Sequence, residues 1–363
     1  MKQFLRATGG LVFACLLASC APDPGVRFFT PEQYPTKLSD WNLFTPAQQG
    51  LALSPGNDVY ELNMALFTDY AHKLRTLYVP PDAHLTYHNF EAFAAPTGTI
   101  ISKTFFYNTN AKGEVDLQQS FSGDPGNLGP NFQLIETRLL VKQDHGWDAL
   151  PYIWRADDAY LKITGDLMSL PLADETNLNY LVPSRNQCAS CHATNHTTAA
   201  IQPIGLKARH MNKAHPVSGT NQLTSLSKTN RLANLPDDVP ANASLRSFEP
   251  SELAHAARSY LDINCGHCHN PQGAADTSGL LLDYQDHSLR DLGACKPPIA
   301  AGRGSGGHLY SIVPGQATAS IMTYRMATTD PGTMMPELGR SLVHREGVSL
   351  VTDWINSISG ECL

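Results

Sequence analysis

Cys188-Ala-Ser-Cys191-His192 and Cys265-Gly-His-Cys268-His269 are two copies of one pentapeptide, C-x-x-C-H, and the reading of the whole chain starts there. Two thiols separated by two residues can each form a thioether to one vinyl group of the same porphyrin. The histidine that follows is then held under the ring, where a ring nitrogen can bind the iron. The motif is therefore the attachment signature of c-type haem. Two copies imply two covalently attached haem c groups, on Cys188 and Cys191 and on Cys265 and Cys268. His192 and His269 are the expected iron ligands.

An export signal precedes them. Lys2 and Arg6 charge the first residues, and the apolar run of residues 11–18 follows. That run is too short to span a bilayer and has the length of a signal h-region. It ends in Leu17-Ala18-Ser19-Cys20, which resembles a bacterial lipobox. The expectation is a lipoprotein signal over residues 1–19 with the lipid on Cys20; the alternative is an ordinary signal peptide beside a chance cysteine. Residue 21 is Ala rather than Asp, so the expected location is the periplasm of a Gram-negative bacterium, anchored to the outer membrane. No later segment holds 18 consecutive apolar residues, which leaves the lipid as the expected membrane attachment.

The eight cysteines then divide without remainder. Cys15 leaves with the signal, Cys20 takes lipid and four hold haem. Cys295 and Cys362 remain, and in an oxidising compartment a disulfide is their simplest fate. Two buried thiols are the bland alternative. A zinc site made from both C-x-x-C pairs is a third, but it leaves both histidines unexplained.

Net charge is −7 and grows more negative once Lys2 and Arg6 are removed. No basic patch exists, which argues against nucleic acid as a partner. An acidic surface suits docking to a basic redox protein. With 27 glycines, 25 prolines and 16% charged residues, the chain is expected to be rich in loops.

The Pro-rich stretch 20–45 reads as a tether. Residues 46–180 read as a β-rich domain, with extended structure over residues 99–107, 132–141 and 151–155 and a turn at His145-Gly146-Trp147. The spacing predicts a short helix over residues 63–75, so that Asp69, His72, Lys73 and Arg75 form a solvated face. Residues 181–245 carry the first motif in an irregular segment. Over residues 246–363, Leu253, Ala257, Tyr260 and Leu261 recur at helical spacing before Cys265, and Val348, Val351, Ile355 and Ile358 do so near the end.

An opening helix, C-x-x-C-H, Met334-Met335-Pro336 and a closing helix resemble the order of class I cytochrome c. That resemblance implies crossed terminal helices and Met335 as iron ligand opposite His269, with Met334 as the fallback. The expected fold class is α+β: a β-rich N-terminal domain, a loop-rich haem segment and a mostly α-helical cytochrome c-like domain. For the first iron, His72, His196, His210, Met211 and an open position stay as alternatives. Arg303 and Arg325 suit propionates. The run Gly302–Gly307 follows no strand of a βαβ unit and is read as a tight loop rather than a nucleotide cradle.

A wider resemblance joins these parts. Residues 60–75, Gly98-Thr99, Lys103-Thr104-Phe105, Glu136-Thr137-Arg138, Pro183-Ser184-Arg185, residues 258–271, Lys296-Pro297-Pro298 and residues 334–339 are similar to a family of exported bacterial dihaem c-type cytochromes. Its members are exported or lipidated and are often encoded beside, or fused to, a parallel β-helix-repeat protein. The resemblance implies two haems and a β-helix partner, without a defined reaction. The leading expectation is electron transfer between redox proteins. A peroxidase-like enzyme with an open first haem, or a redox accessory subunit of the β-helix partner, are the alternatives.

Overall fold

A computed structural model of the chain describes residues 25–118, 120–245, 249–299 and 301–362. The expected signal over residues 1–19 and Cys20 lie outside the described residues.

The strands are β1 (Phe44–Ala47), β2 (Gly50–Leu53), β3 (Asn57–Val59), β4 (His72–Tyr78), β5 (Leu85–Thr86), β6 (Ile100–Thr109), β7 (Val115–Asp116), β8 (Phe132–Gln143), β9 (Gly146–Trp154), β10 (Ala159–Leu161), β11 (Asp166–Pro171), β12 (Asn177–Val182) and β13 (Leu232–Ala233). The α-helices are α1 (Arg185–His192), α2 (Ala208–Met211), α3 (Gln222–Lys228), α4 (Leu253–Leu261), α5 (Ile321–Met326) and α6 (Arg345–Ser357). One antiparallel sheet dominates, in the order β10-β9-β8-β6-β4-β3, with β7 beside β6. Its long strands β6 and β8 are dense in β-branched and aromatic residues, which fit a pleated surface buried on both sides.

Both faces are covered. On one, Leu74, Ile100, Phe106, Leu139, Val141 and Tyr152 pack against Leu38, Trp41, Leu43 and Leu51. Trp41 Nε1 donates to Tyr152 Oη at 2.8 Å, so part of the stretch expected to be a tether is built into the core. On the other face, Leu77, Ile101, Leu140 and Ala149 share one apolar cluster with Cys188, Leu206, Leu261 and Trp354. Sheet, first motif and C-terminal segment therefore close over a common core.

Two expectations fail here. Residues 246–363 are not a mostly α-helical domain: α4, α5 and α6 are short, and loops and tight turns fill the rest. The structure is 25% strand and 22% helix, with six short helices among the described residues. Between α4 and α5, Pro271, Gly273, Gly279, Gly293, Pro297 and Pro298 recur too often for a helix to nucleate and propagate. Nor do residues 63–75 form a helix: residues 63–71 are turns and loop, and the last four begin β4, which pairs with β6 from His72↔Phe106 to Tyr78↔Ile100. Its charged residues point into a buried face, and that hid the alternation.

Residues 246–363 do bring α4 against α6. Gly347 sits at this contact, where a Cβ would lie 2.3 Å from Tyr260 Oη. Cys295 and Cys362 form a disulfide that ties the end of the chain to the loop after the second motif.

Candidate haem-attachment site

The first motif lies within α1, where an irregular segment was expected. Ser184 caps this helix: its Oγ accepts from Gln187 N at 3.3 Å, and Gln187 Oε1 accepts from Ser184 N at 2.9 Å. That is a capping box, and Ser184-x-x-Gln187 was its signal in the sequence. Arg185 then donates to Asp148 at 2.8 Å, which fixes the helix to the sheet through β9.

The second motif begins where α4 loosens into a π-turn over Asp262–Gly266, a feature frequent at functional sites. Asp262 is buried and receives a bidentate pair from Arg209, 2.9 Å on each side. Burial alone would push its carboxyl up, but His210 and Arg209 pull it down to about 2. Asn264 accepts from Phe67 N at 2.9 Å. The approach to Cys265 is thus tied to α2 and to the N-terminal part.

The two motifs touch. Cys268 Sγ lies 3.6 Å from the carbonyl oxygen of Ser190, a residue inside the first motif. Around that contact His196 N donates to Gln272 O at 2.8 Å, Asn195 donates to Gln272 Oε1 at 2.9 Å, and Asn270 donates to Thr194 O at 3.3 Å.

Both motif histidines engage Nδ1, and neither Nε2 has a hydrogen-bond partner among the described residues. His192 Nδ1 is 2.8 Å from Gln202 O, a carbonyl that can only accept, so the proton sits on Nδ1. His269 Nδ1 is 3.1 Å from Ser278 Oγ, whose own proton goes to Ala275 O at 2.6 Å. An Nδ1–H held in this way fixes the tautomer and aims the other nitrogen, as iron-binding histidines require. Burial, helped by Lys103, pushes His192 down to about 3, and burial with Arg325 pushes His269 down to about 4, so both rings are neutral. Burial raises all four motif thiols, Cys265 and Cys268 to about 12, the opposite of what a thiol–disulfide exchange pair needs.

Beside Cys188 and His192 lies a pocket lined by Leu62, Ile204 and the cations Arg75, Lys103 and Arg138. Lys103 and Arg138 were not singled out in the sequence as site residues. Their signal was a charge in the middle of an apolar strand. No family model, no curated protein and no solved structure matches this chain.

The donor set fits haem: paired thiols, neutral histidines with Nε2 open, and a buried guanidinium nitrogen, Arg75 Nη2, with no hydrogen-bond partner. Among the described residues no group of three or more His, Cys, Asp or Glu is arranged to hold a metal ion.

The remaining ligand candidates are placed as follows. His210 is buried with Nδ1 2.9 Å from Asn242 and Nε2 3.4 Å from Asp262. Met211 is fully buried in the common core. His196 turns to Gly273 O at 3.0 Å. His72 lies on the opposite face of β4 from Arg75, against Phe106 and Phe121. Met335 is half-buried, its N–H donating to Arg325 O at 3.0 Å and its carbonyl accepting from Arg340 at 2.9 Å. The charge of Arg325 acts on His269 and that of Glu337 on Cys268, so the loop carrying Met335 borders the second motif. Arg303 is exposed and bonds Asp330 at 3.1 Å.

Proposed function

We propose that the chain is a dihaem c-type cytochrome that passes electrons between two neighbouring haems, held in the periplasm by lipid on Cys20. Cys188 and Cys191 would hold one haem with His192 as its iron ligand, and Cys265 and Cys268 would hold the other with His269 and Met335. The observation that supports this best is the direct contact between the motifs, Cys268 Sγ against Ser190 O at 3.6 Å. Electron transfer slows steeply with distance, and a carrier with two centres needs them adjacent.

When bound, the haems supply a reversible one-electron iron couple. The protein's part is to orient and insulate. Gln202 O and Ser278 Oγ hold each histidine by Nδ1, which makes the imidazole a better donor. Leu206, Leu261 and Trp354 keep water from the shared core, a burial that would tune the potentials of bound haems. Arg325 and Arg340 fix the Met335 backbone, and its thioether would be a ligand that raises the potential.

A second reading is favoured by one observation: His72 and His210 turn Nε2 to Asn108 and Asp262, which removes two of the four candidate sixth ligands of the first iron and leaves that position open unless His196 or Met211 fills it. The first haem would then act on peroxide or another small oxidant. Intact mass and electron paramagnetic resonance of the oxidised protein separate the readings. Two haems, both low-spin, support the carrier; one high-spin haem moves the reading to the enzyme. A mass without haem overturns both.

A further inference from the structure

The pocket beside the first motif has an uncommon floor. Arg75 on β4 stands directly opposite Lys103 on β6, and Lys103 directly opposite Arg138 on β8. Three cations thus run side by side across three adjacent strands. Lys73 occupies the next row on the same face, opposite Phe105. Like charges directly opposite one another destabilise a sheet. Burial sharpens the cost, since an unpaired charge taken from water loses solvation it cannot recover.

Two of these charges are matched within the chain. Arg138 bonds Glu136 through two nitrogens, and Tyr180 Oη donates to the same carboxylate at 2.6 Å. Lys73 donates to Ala71 O at 2.9 Å and feels the charge of Asp69. The other two make no ion pair among the described residues, and of the carboxylates only Glu61 on Arg75 and Glu136 on Lys103 act on them at longer range. Arg75 is 6% exposed and its Nη2 has no hydrogen-bond partner. Lys103 makes no ion pair among the described residues and lies over the Phe105 ring, 5.2 Å from its centre. It keeps some accessible surface because it faces the pocket. Burial, together with Arg138 and Arg75, drives its amine down to about 7.

Two cations with no ion pair, in the wall of a pocket that also holds Cys188 and His192, call for a pair of anions. We infer that Arg75 and Lys103 receive the two propionate carboxylates of the haem carried by Cys188 and Cys191, with Arg138 as their shared backing charge. This rests on the dihaem reading. The geometry selects carboxylates: a guanidinium fork matches a carboxylate in two-point contact, and an ammonium supplies a compact second charge. The same face would also attract a free small carboxylate or oxyanion, so the test separates the two sources.

The experiment uses holoprotein and the variants Arg75→Gln and Lys103→Gln, with Arg75→Lys as the conservative control. Haem is counted by intact mass, and the midpoint potential of each haem is followed from pH 5 to pH 9. Two haems on every variant show that the dihaem reading stands whatever the potentials do. The expected result is a lower potential for one haem only, because a cation near the iron disfavours its more positive oxidised form. That haem also gains a pH-dependent potential near neutrality, as a carboxyl deprived of its cation titrates there. Arg75→Lys restores most of the wild-type profile. Potentials and pH profiles that match the wild type, with both haems attached, overturn the inference. So does a wild-type first-haem spectrum that shifts saturably with acetate or inorganic phosphate and loses that response in Arg75→Gln, since the floor then binds a free anion. If Arg75→Gln does not fold, Lys103→Gln carries the same potential measurement, and an unshifted first haem there overturns the inference equally.

Discussion

Gly347→Ala sets two physical effects against each other. In a helix interior alanine is favoured over glycine by about 1 kcal/mol. Judged by α6 alone, the substitution stabilises. The contact with α4 says otherwise. A Cβ at this position would lie 2.3 Å from Tyr260 Oη and 2.4 Å from its Cζ, whereas ordinary contact begins near 3.4 Å. About 1 Å of room must be found, and the ring cannot swing away freely, because Tyr260 is 5% exposed and its hydroxyl pairs with His344 Nδ1 at 3.0 Å. Overpacking of this kind costs roughly 1–3 kcal/mol, and the strained Tyr260–His344 bond about 1 kcal/mol more. The net expectation is a loss of about 2 kcal/mol, read from guanidinium unfolding followed by far-ultraviolet circular dichroism. Tyr260→Ala frees the space, so Gly347→Ala in that background should cost about nothing or stabilise. A gain of about 1 kcal/mol from Gly347→Ala in the otherwise wild-type chain would refute the packing argument.

Replacing Cys295 and Cys362 together by Ser opens a loop of 67 residues and should cost about 4 kcal/mol by chain entropy; a loss below about 1 kcal/mol in the same unfolding assay contradicts it. His210 gives the protein an acid-sensitive window. Burial holds its ring down to about 3 against 6.5 in the unfolded chain, with Asp262, Arg209 and Lys207 around it. The folded state therefore binds this proton more weakly, so stability is intact above pH 6.5 and falls as pH drops towards 3. Between pH 7 and pH 5 the wild type should lose about 2 kcal/mol more than His210→Gln; equal losses would show that this ring is not the titrating group.

The two C-x-x-C-H motifs stand out in the sequence because the thioether chemistry proposed for them demands a rigid spacing, and no packing context changes that demand. The strands β6 and β8 were legible for a related reason: Ile100, Ile101, Phe105, Phe106, Leu139, Leu140 and Val141 suit few other settings. Illegibility had three sources. Lys73, Arg75, Lys103 and Arg138 point inward from strands, and a charge normally marks the solvent side, so β4 took on the look of a polar helix face. The helical periodicity of α4 and α6 was real, but it covered only the two ends of residues 246–363, and nothing in it limited the irregular chain between. The contact between the motifs had no local signal at all. It joins Cys268 to Ser190, residues 78 positions apart.

The enclosure of the motifs has a consequence for biogenesis. Cys188 is 8% exposed, and the other three thiols are partly covered in the finished fold. If these cysteines carry haem, an attachment enzyme has to reach them while α1, α4 and the sheet are still apart. Loading then precedes closure, and each porphyrin becomes a template on which the neighbouring segments condense. A cell starved of haem should accordingly lose the chain to proteases, rather than hold a folded protein awaiting its pigment.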